Sequence, residues 1–503
     1  MRPLRSADRW LGLTLFTVAV TFVVGLPNNL GVSDESLILY ESTRILHGEV
    51  LYRDVFEIIT PGSLWVFAGL FHLFGATLTV ARVAMAVVHA LIVLLVFATC
   101  RGLGVRRDLA AAAALTHLAV GQPAWPYASP HWLGTLLQLA LLWLAAARPL
   151  RGRVATALAM GLAVGALILV QQQKGAVMAL AAALWLALDA LVERRLSGAA
   201  SWRALLAAEL ACAAAALAVV VPALALTVTR AGLEPVLIAL VRYPLQNYPS
   251  VVSAPWGHVD LLNAELAAHT FPTLLAYLPV GLLPIAARAV ATWRRRDDAV
   301  RGLVALLTLA GAASASIGYF PDFIHIAFIA PLFLVALAVA LDWLLGLLPA
   351  QRWRAAAPPA LAAVLLAALA AQLARNWQRA WAEYPVAYQT PFGRVDLRNP
   401  GIAAQTDLVR ALVDASSTRE LLAYPGLPIV YLMTGANNPT PFQLLSPSYN
   451  GLPTVRAAID TLERRQVPLV VIVDPFVEKD DPLVRYVHEH YERVGDSGVY
   501  RRR

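Results

Sequence analysis

Long apolar runs, separated by short gaps rich in arginine, dominate the first three quarters of the chain. A helix needs about 20 apolar residues to cross a bilayer. Runs of that order lie near 10–27, 79–100, 109–127, 130–147, 154–171, 175–192, 204–229, 270–292, 302–319, 324–348 and 356–374, so the pattern predicts eleven transmembrane helices. No A-x-A-like cleavage site follows the first run, which is therefore expected to remain as a span. Between 28 and 78 the pattern changes. Residues 35–47 place Leu37, Ile38, Ile45 and Leu46 on one helical stripe, as expected of an amphipathic helix lying on the membrane surface. Residues 62–74 form a second apolar helix, too short to span, that fits an interfacial or re-entrant piece.

Beyond residue 375 the runs shorten. Residues 402–414, 454–465 and 483–491 read as amphipathic helices, and 419–424, 468–473 and 497–502 as strands. A linker rich in Pro, Tyr and Gly precedes them at 383–400. Apolar strands alternating with helices predict a small α/β domain. The expected fold class is an all-α polytopic membrane domain over 1–375, including the segment 28–78, followed by a soluble α/β domain over 376–503.

Composition excludes a water-soluble enzyme. Of 503 residues 59% are hydrophobic and 14% charged, against about 25% charged in soluble domains. The net charge of +8 raises the question of nucleic acid, and its distribution answers it. Residues 1–375 carry 26 basic and 18 acidic side chains, and the remainder carries 14 of each. The excess falls in clusters between apolar runs: Arg2, Arg5 and Arg9; Arg101, Arg106 and Arg107; Arg148, Arg151 and Arg153; Arg194, Arg195 and Arg203; Arg294, Arg295, Arg296 and Arg301; Arg352 and Arg354. A nucleic-acid groove needs one continuous basic face. Separate clusters instead mark cytoplasmic loops. This places the N-terminus in the cytoplasm and, after eleven spans, the C-terminal domain outside it. The two cysteines, Cys100 and Cys212, give no disulfide or zinc signature.

That sidedness gathers the chain's scattered polar residues on the outer face. Ser33-Asp34-Glu35 opens the segment 28–78, which also carries Tyr40, Gly48, Tyr52-Arg53-Asp54 and Pro61-Gly62. A carboxylate there can act as general base on a hydroxyl or help bind a metal; Ser33 or Asp34 can equally cap the following helix. Lys174, one of only two lysines, lies between two spans in Gln171-Gln172-Gln173-Lys174-Gly175. An ionisable residue at membrane depth is a functional candidate, its ammonium suited to a phosphate; the plainer reading is a snorkelling side chain. Asp322 and His325, three apart, share a helix face and suit a sugar or phosphate, although Asp322 also reads as a cap. His131 is a similar case.

The run Asp34-Glu35, Tyr40, Gly48, Tyr52-Arg53-Asp54, Pro61-Gly62, Phe74-Gly75 and Arg82 resembles the N-terminal signature of GT-C glycosyltransferases, in the bacterial dolichyl-phosphate-mannose-protein mannosyltransferase-like and aminoarabinose-transferase-like branch. The resemblance implies an integral bacterial inner-membrane enzyme that takes a hexose or pentose from a polyprenyl-phosphate carrier, by an inverting displacement, outside the cytoplasm. The acceptor is a hydroxyl on a lipid, a glycan or a protein. The resemblance implies Asp34 as the essential carboxylate that removes or orients the acceptor hydroxyl proton, with Glu35 beside it. Lys174, with Arg53 or His325, would hold the leaving phosphate, and Asp54, Glu35 and Asp322 would bind sugar or acceptor. The chain lacks a lysine near Pro61, which Arg53 or Lys174 would replace. Metal use varies within the class, so a divalent metal stays open. The alternative is a transporter or lipid-linked-sugar flippase, for which inverted repeats are characteristic; no repeat is visible.

Overall fold

The computed structural model describes residues 6–148, 150, 152–198, 201–246, 254–259, 264–473 and 477–503; Arg2, Arg5 and Arg151 lie outside them. Among the described residues nine helices are long and apolar enough to cross a membrane: Ser6–Val24, Leu78–Gly102, Pro130–Ala147, Arg153–Val170, Gln172–Ser197, Trp202–Ala231, Pro272–Arg295, Phe323–Gly346 and Gln351–Glu383. The other two expected spans are present in altered form. Val300–Ala315 is a helix of 16 residues. The run 109–127 is broken into helix Arg107–Thr116, a π-helical turn His117–Gly121 and a 3-10 turn Gln122–Ala124. Pro123 at the last turn lacks the amide hydrogen that an α-helix would use there. Helix Phe323–Gly346 is the most enclosed, while Trp202–Ala231 and Gln351–Glu383 expose apolar flanks at the periphery. Gly161 and Gly165 let Arg153–Val170 lie directly on Trp202–Ala231: a Cβ on Gly161 would stand 2.2 Å from the Cys212 carbonyl oxygen. Such small residues four apart are the usual device for close helix approach in lipid.

Arginines tie the helices together at one end of the bundle. Asp8 pairs with Arg101 and Arg107, at 3.3 and 2.8 Å. Asp189 gathers Arg148, Arg153 and Arg301, at 3.4, 3.0 and 3.1 Å. Helices Leu78–Gly102 and Pro130–Ala147 terminate beside these pairs. The candidate polar residues sit at the opposite end, where Pro130–Ala147, Gln172–Ser197 and Phe323–Gly346 begin.

Helix Asp34–Leu46 does not lie on a membrane surface, contrary to the amphipathic reading. Nine of its thirteen residues are buried, among them Glu35, Tyr40, Glu41 and Arg44. It is sandwiched between the bundle and the C-terminal segment. Tyr40 stacks on Tyr431 with ring centroids 4.5 Å apart, and Arg44 donates to the Thr440 carbonyl and the Gln443 side chain. Its polar residues stay inside because partners from distant sequence satisfy them. Helix Gly62–Phe74 leaves Val66, Leu73 and Phe74 exposed, as an interfacial piece would.

The C-terminal strands form a sheet of order β3-β4-β6-β5. Strand β3 (Leu421–Tyr424) runs parallel to β4 (Leu469–Ile472), and β6 (Val499–Arg502) is antiparallel to both β4 and β5 (Tyr491–Arg493). Helices Pro400–Ala415, Leu452–Arg464 and Pro482–His490 match the expected ones to within a few residues. The expected linker differs: it holds an antiparallel hairpin of β1 (Val386–Thr390) and β2 (Gly393–Leu397). Val386 and Tyr388 alternate with the exposed Ala387 and Gln389, and Val395 and Leu397 flank Asp396; Gly393 takes the positive φ that the tight turn requires. The hairpin docks on the bundle, with Phe392 edge-on to Phe71 at 5.6 Å and Asp396 accepting from the Asn28 amide at 2.8 Å.

Candidate functional site

Asp34 begins helix Asp34–Leu46, and its carboxylate opens onto a cavity of about 1400 Å³. Ser33 occupies the N-cap position without a side-chain cap, so Asp34 is not consumed in ending the helix. Asp34 keeps solvent access through the cavity, yet the protein atoms crowded around it strip enough water to push its carboxyl above the usual range; nearby Asp322 adds to the rise, while His325 and Ser33 oppose it.

Two helix starts supply the opposite wall. Ser129 caps Pro130–Ala147 by accepting from the His131 amide at 3.2 Å, and Pro130 takes the first helical position, both standard choices for a helix start. This aims His131 at the cavity. Asp322 caps Phe323–Gly346 by accepting from the His325 amide at 2.8 Å, and the same carboxylate oxygen stands 2.7 Å from His325 Nδ1. Asp322 therefore caps the helix and holds the His325 ring with the same oxygen. The His131 and His325 rings meet edge to face, 4.7 Å between centroids.

Lys174 lies behind this wall rather than on it. Its side chain is fully buried, its Nζ is 2.8 Å from His131 Nδ1, and it sits 5.5 Å from the centre of the Phe328 ring. Gly175 makes this depth possible, because a Cβ there would stand 2.5 Å from the Ile168 backbone of the preceding helix. Of the glutamines, Gln171 is buried and Gln173 exposed, while the half-buried Gln172 accepts from the Thr60 amide at 3.2 Å and donates to the Ile58 carbonyl at 2.7 Å. The snorkelling reading of Lys174 fails, and so does direct exposure to a ligand in this arrangement. Its contact with the cavity wall is through His131.

Glu35, Arg53 and Asp54 are not brought to this site. Glu35 is wholly buried and turned away from Asp34. Its oxygens form an ion pair with Arg82, and they accept from the Gly31 and Ala128 amides at 2.7 and 2.6 Å. Every lone pair it has is committed, so Glu35 holds the start of the helix instead of reacting. Removing one partner of a buried pair costs about 3–5 kcal/mol. Arg82→Met is therefore expected to destabilise the chain by that order, read as a large fall in the thermal unfolding midpoint in detergent. Arg53 and Asp54 pair with each other at 2.8 Å at the surface, and Asp54 also accepts from the Val50 amide. Adjacency in sequence let them satisfy one another locally.

Residues that the sequence pattern does not single out also converge near the site. Glu41 and Glu57 are buried against each other beneath helix Asp34–Leu46. Burial first, and mutual repulsion with it, pushes Glu41 well above the usual carboxylate range; burial likewise raises Glu57. Glu41 takes one long bond from Gln443, at 3.5 Å. In the bundle, His89 Nδ1 lies 3.1 Å from His117 Nε2, and both rings pack on Trp132, which packs on Phe328. Histidine inside an apolar run was the available signal for this pair. Among the described residues no group of three or more His, Cys, Asp or Glu side chains is disposed to hold a metal ion.

No protein-family model matches the sequence, and no curated protein does. Solved structures do match. ArnT from Cupriavidus metallidurans bound to undecaprenyl phosphate aligns with a TM-score of 0.62 over 98% of this chain and 98% of its own, at 15% identity. ArnT from the same organism in the apo state aligns with a TM-score of 0.61 over 99% of this chain and 98% of its own, also at 15% identity. At that identity the likeness is one of fold alone: over nearly its whole length this chain has the fold of ArnT.

Proposed function

We propose that this chain is an integral-membrane glycosyltransferase that moves a sugar from a polyprenyl-phosphate carrier to an acceptor hydroxyl, on the side of the membrane away from the cytoplasm. One observation carries the reading: Asp34, His131, Asp322 and His325, from three separate chain segments, line a single cavity at the end of the bundle opposite the arginine pairs. Arginine-rich ends usually mark the cytoplasmic side, which supports a cavity that faces away from the cytoplasm. The fold is that of a protein solved with undecaprenyl phosphate bound.

The roles follow from hydrogen-bonding capacity. Lys174 has donors and no acceptor, so its bond to His131 Nδ1 makes that nitrogen the acceptor. His131 then carries its proton on Nε2 and offers it to a phosphate oxygen. Asp322 accepts from His325 Nδ1, which leaves His325 Nε2 unprotonated in the neutral ring. Asp34 stands across the cavity as general base. The acceptor oxygen attacks the anomeric carbon and loses its proton to the Asp34 carboxylate. The bond from that carbon to the phosphate oxygen breaks, and the departing phosphate keeps the electron pair, stabilised by His131 with Lys174 behind it. Attack opposite the leaving group inverts the anomeric centre.

The test uses the full chain in lipid nanodiscs with a panel of undecaprenyl-phosphate-linked hexoses and pentoses. Release of undecaprenyl phosphate together with transfer of labelled sugar is expected for one donor. Absence of both undecaprenyl phosphate binding and donor cleavage across the panel would overturn the reading. Movement of intact donor across a liposome bilayer without cleavage would establish the flippase instead.

A further inference from the structure

The cavity does not stop at the catalytic group. It extends into the C-terminal α/β unit, where it is lined by Pro425 and Gly426 just past β3 and by Ile472 and Val473 at the end of β4. These are the carboxyl ends of the two parallel strands, the place where open α/β sheets bind ligands. A polyprenyl phosphate approaches from the bilayer, so this far lobe is left for the other substrate.

Charge defines what the lobe accepts. At the sheet end of the cavity the charged lining residues are Glu478, Asp496 and Arg493; Glu265, Glu383, Arg379 and Arg398 line it nearer the membrane helices. The guanidiniums are already engaged. Arg398 pairs with Glu265 at 2.9 Å and Glu383 at 2.7 Å, and Arg379 faces Glu383 at 3.9 Å. Arg493 donates to the Ser497 and Asp496 carbonyls at 2.8 and 3.2 Å. The same pairs occupy Glu265 and Glu383, and Asp396 is held by Arg394 at 2.9 Å, so among the described residues Glu478 and Asp496 are the sheet-end carboxylates without a cationic partner. Glu478 takes bonds from the Ser448 amide and hydroxyl, at 2.9 and 2.6 Å. Although burial works against it, these bonds hold Glu478 below the usual carboxylate range, so it is anionic. Acceptor-only groups suit ligands that donate hydroxyl hydrogens, and a surplus of negative charge repels a phosphate.

We propose that the lobe at the carboxyl ends of β3 and β4 is the acceptor subsite, and that it selects an uncharged, hydroxyl-rich glycan over a phosphorylated one. This rests on the glycosyltransferase reading and adds to it the class of the second substrate.

The experiment compares neutral oligosaccharides with the same oligosaccharides bearing a phosphomonoester, as acceptors for the chain in nanodiscs, with donor cleavage measured separately. Neutral acceptors are expected to show kcat/KM at least about tenfold higher, a difference of roughly 1.4 kcal/mol. Glu478→Lys and Asp496→Lys lie on half-buried or exposed positions and are expected to raise the KM of the neutral acceptor, or to narrow its advantage, with the donor KM unchanged. Equal or better use of the phosphorylated acceptor overturns the inference while leaving the glycosyltransferase reading intact. An acceptor KM and preference unmoved by both variants overturns it in the same way. Donor that is neither bound nor cleaved overturns both.

Discussion

Replacing Asp34 by Asn is expected to abolish sugar transfer, by about two to four orders of magnitude, in a protein that still folds, inserts and binds undecaprenyl phosphate. Asn keeps the shape of the side chain and removes its ability to take a proton. Stability does not suffer. The partly desolvated cavity raises the Asp34 carboxyl above its ordinary value of 3.8, so the folded state favours its protonated form. The stability this contributes is present below 3.8 and is lost as pH rises through the higher folded-state value. At neutral pH an uncharged Asn therefore costs nothing in folding. The same shift sets the pH dependence of the wild type. The base form is present only above the raised value, so the acid limb of kcat/KM should stand above the ordinary carboxylate range. Asp34→Glu is expected to retain part of the activity and that limb. Full transfer by Asp34→Asn, measured as label moved from carrier to acceptor, would remove Asp34 from the reaction.

Lys174→Met is expected to separate stability from function in the opposite direction. A fully buried ammonium is costly. Among the described residues its hydrogen bond is to His131 and its other close polar contact is the face of Phe328. Methionine matches its length and carries no charge to bury, so the unfolding midpoint should hold or rise. Transfer should fall by about a hundredfold or more, because the imidazole behind the phosphate loses both its fixed tautomer and the positive charge that supports it. Weakened undecaprenyl phosphate binding, measured by titration in nanodiscs, should accompany the loss. A variant that is less stable yet fully active would show that Lys174 is structural. Gain of stability with loss of activity is the pattern of a residue kept for function.

Much of the architecture was legible because membrane insertion writes its rules locally. An apolar run of sufficient length must become a helix, since lipid offers its backbone no other partner. The arginine gaps mark helix ends for the same reason. The two altered spans, Val300–Ala315 and the broken run from Arg107 to Ala124, show the limit: hydropathy averages over a window and does not register where Pro123 interrupts the hydrogen-bond ladder. The hairpin Val386–Leu397 was obscured by its Pro, Tyr and Gly, which composition alone assigns to a linker.

The candidate site divides in the same way. Asp34, His131, Lys174, Asp322 and His325 were each visible as polar residues at helix starts, where a strongly polar side chain is rare enough to be noticed. Their separate roles were not visible. Asp34 and Glu35 are neighbours in sequence, yet a helix turns successive side chains about 100° apart, and so one faces the cavity while the other meets Arg82. Arg53 and Asp54 looked as promising as either and are satisfied by each other at the surface. Helix Asp34–Leu46 showed a lipid-facing stripe only because its partners, Tyr431 and Asn438 to Gln443, lie nearly 400 residues away.

The sequence by itself determined that this chain lives in a membrane, how its helices alternate with arginine-rich ends, and which few polar residues gather at one end. Those are consequences of burial in lipid, which acts on each segment in turn. Only the tertiary structure decided which carboxylate faces the cavity, that Lys174 is buried against His131, and that the cavity continues to the carboxyl ends of β3 and β4. These depend on contacts between segments far apart in the chain, where the partner that satisfies or frees a charge is set by packing rather than by its neighbours in sequence.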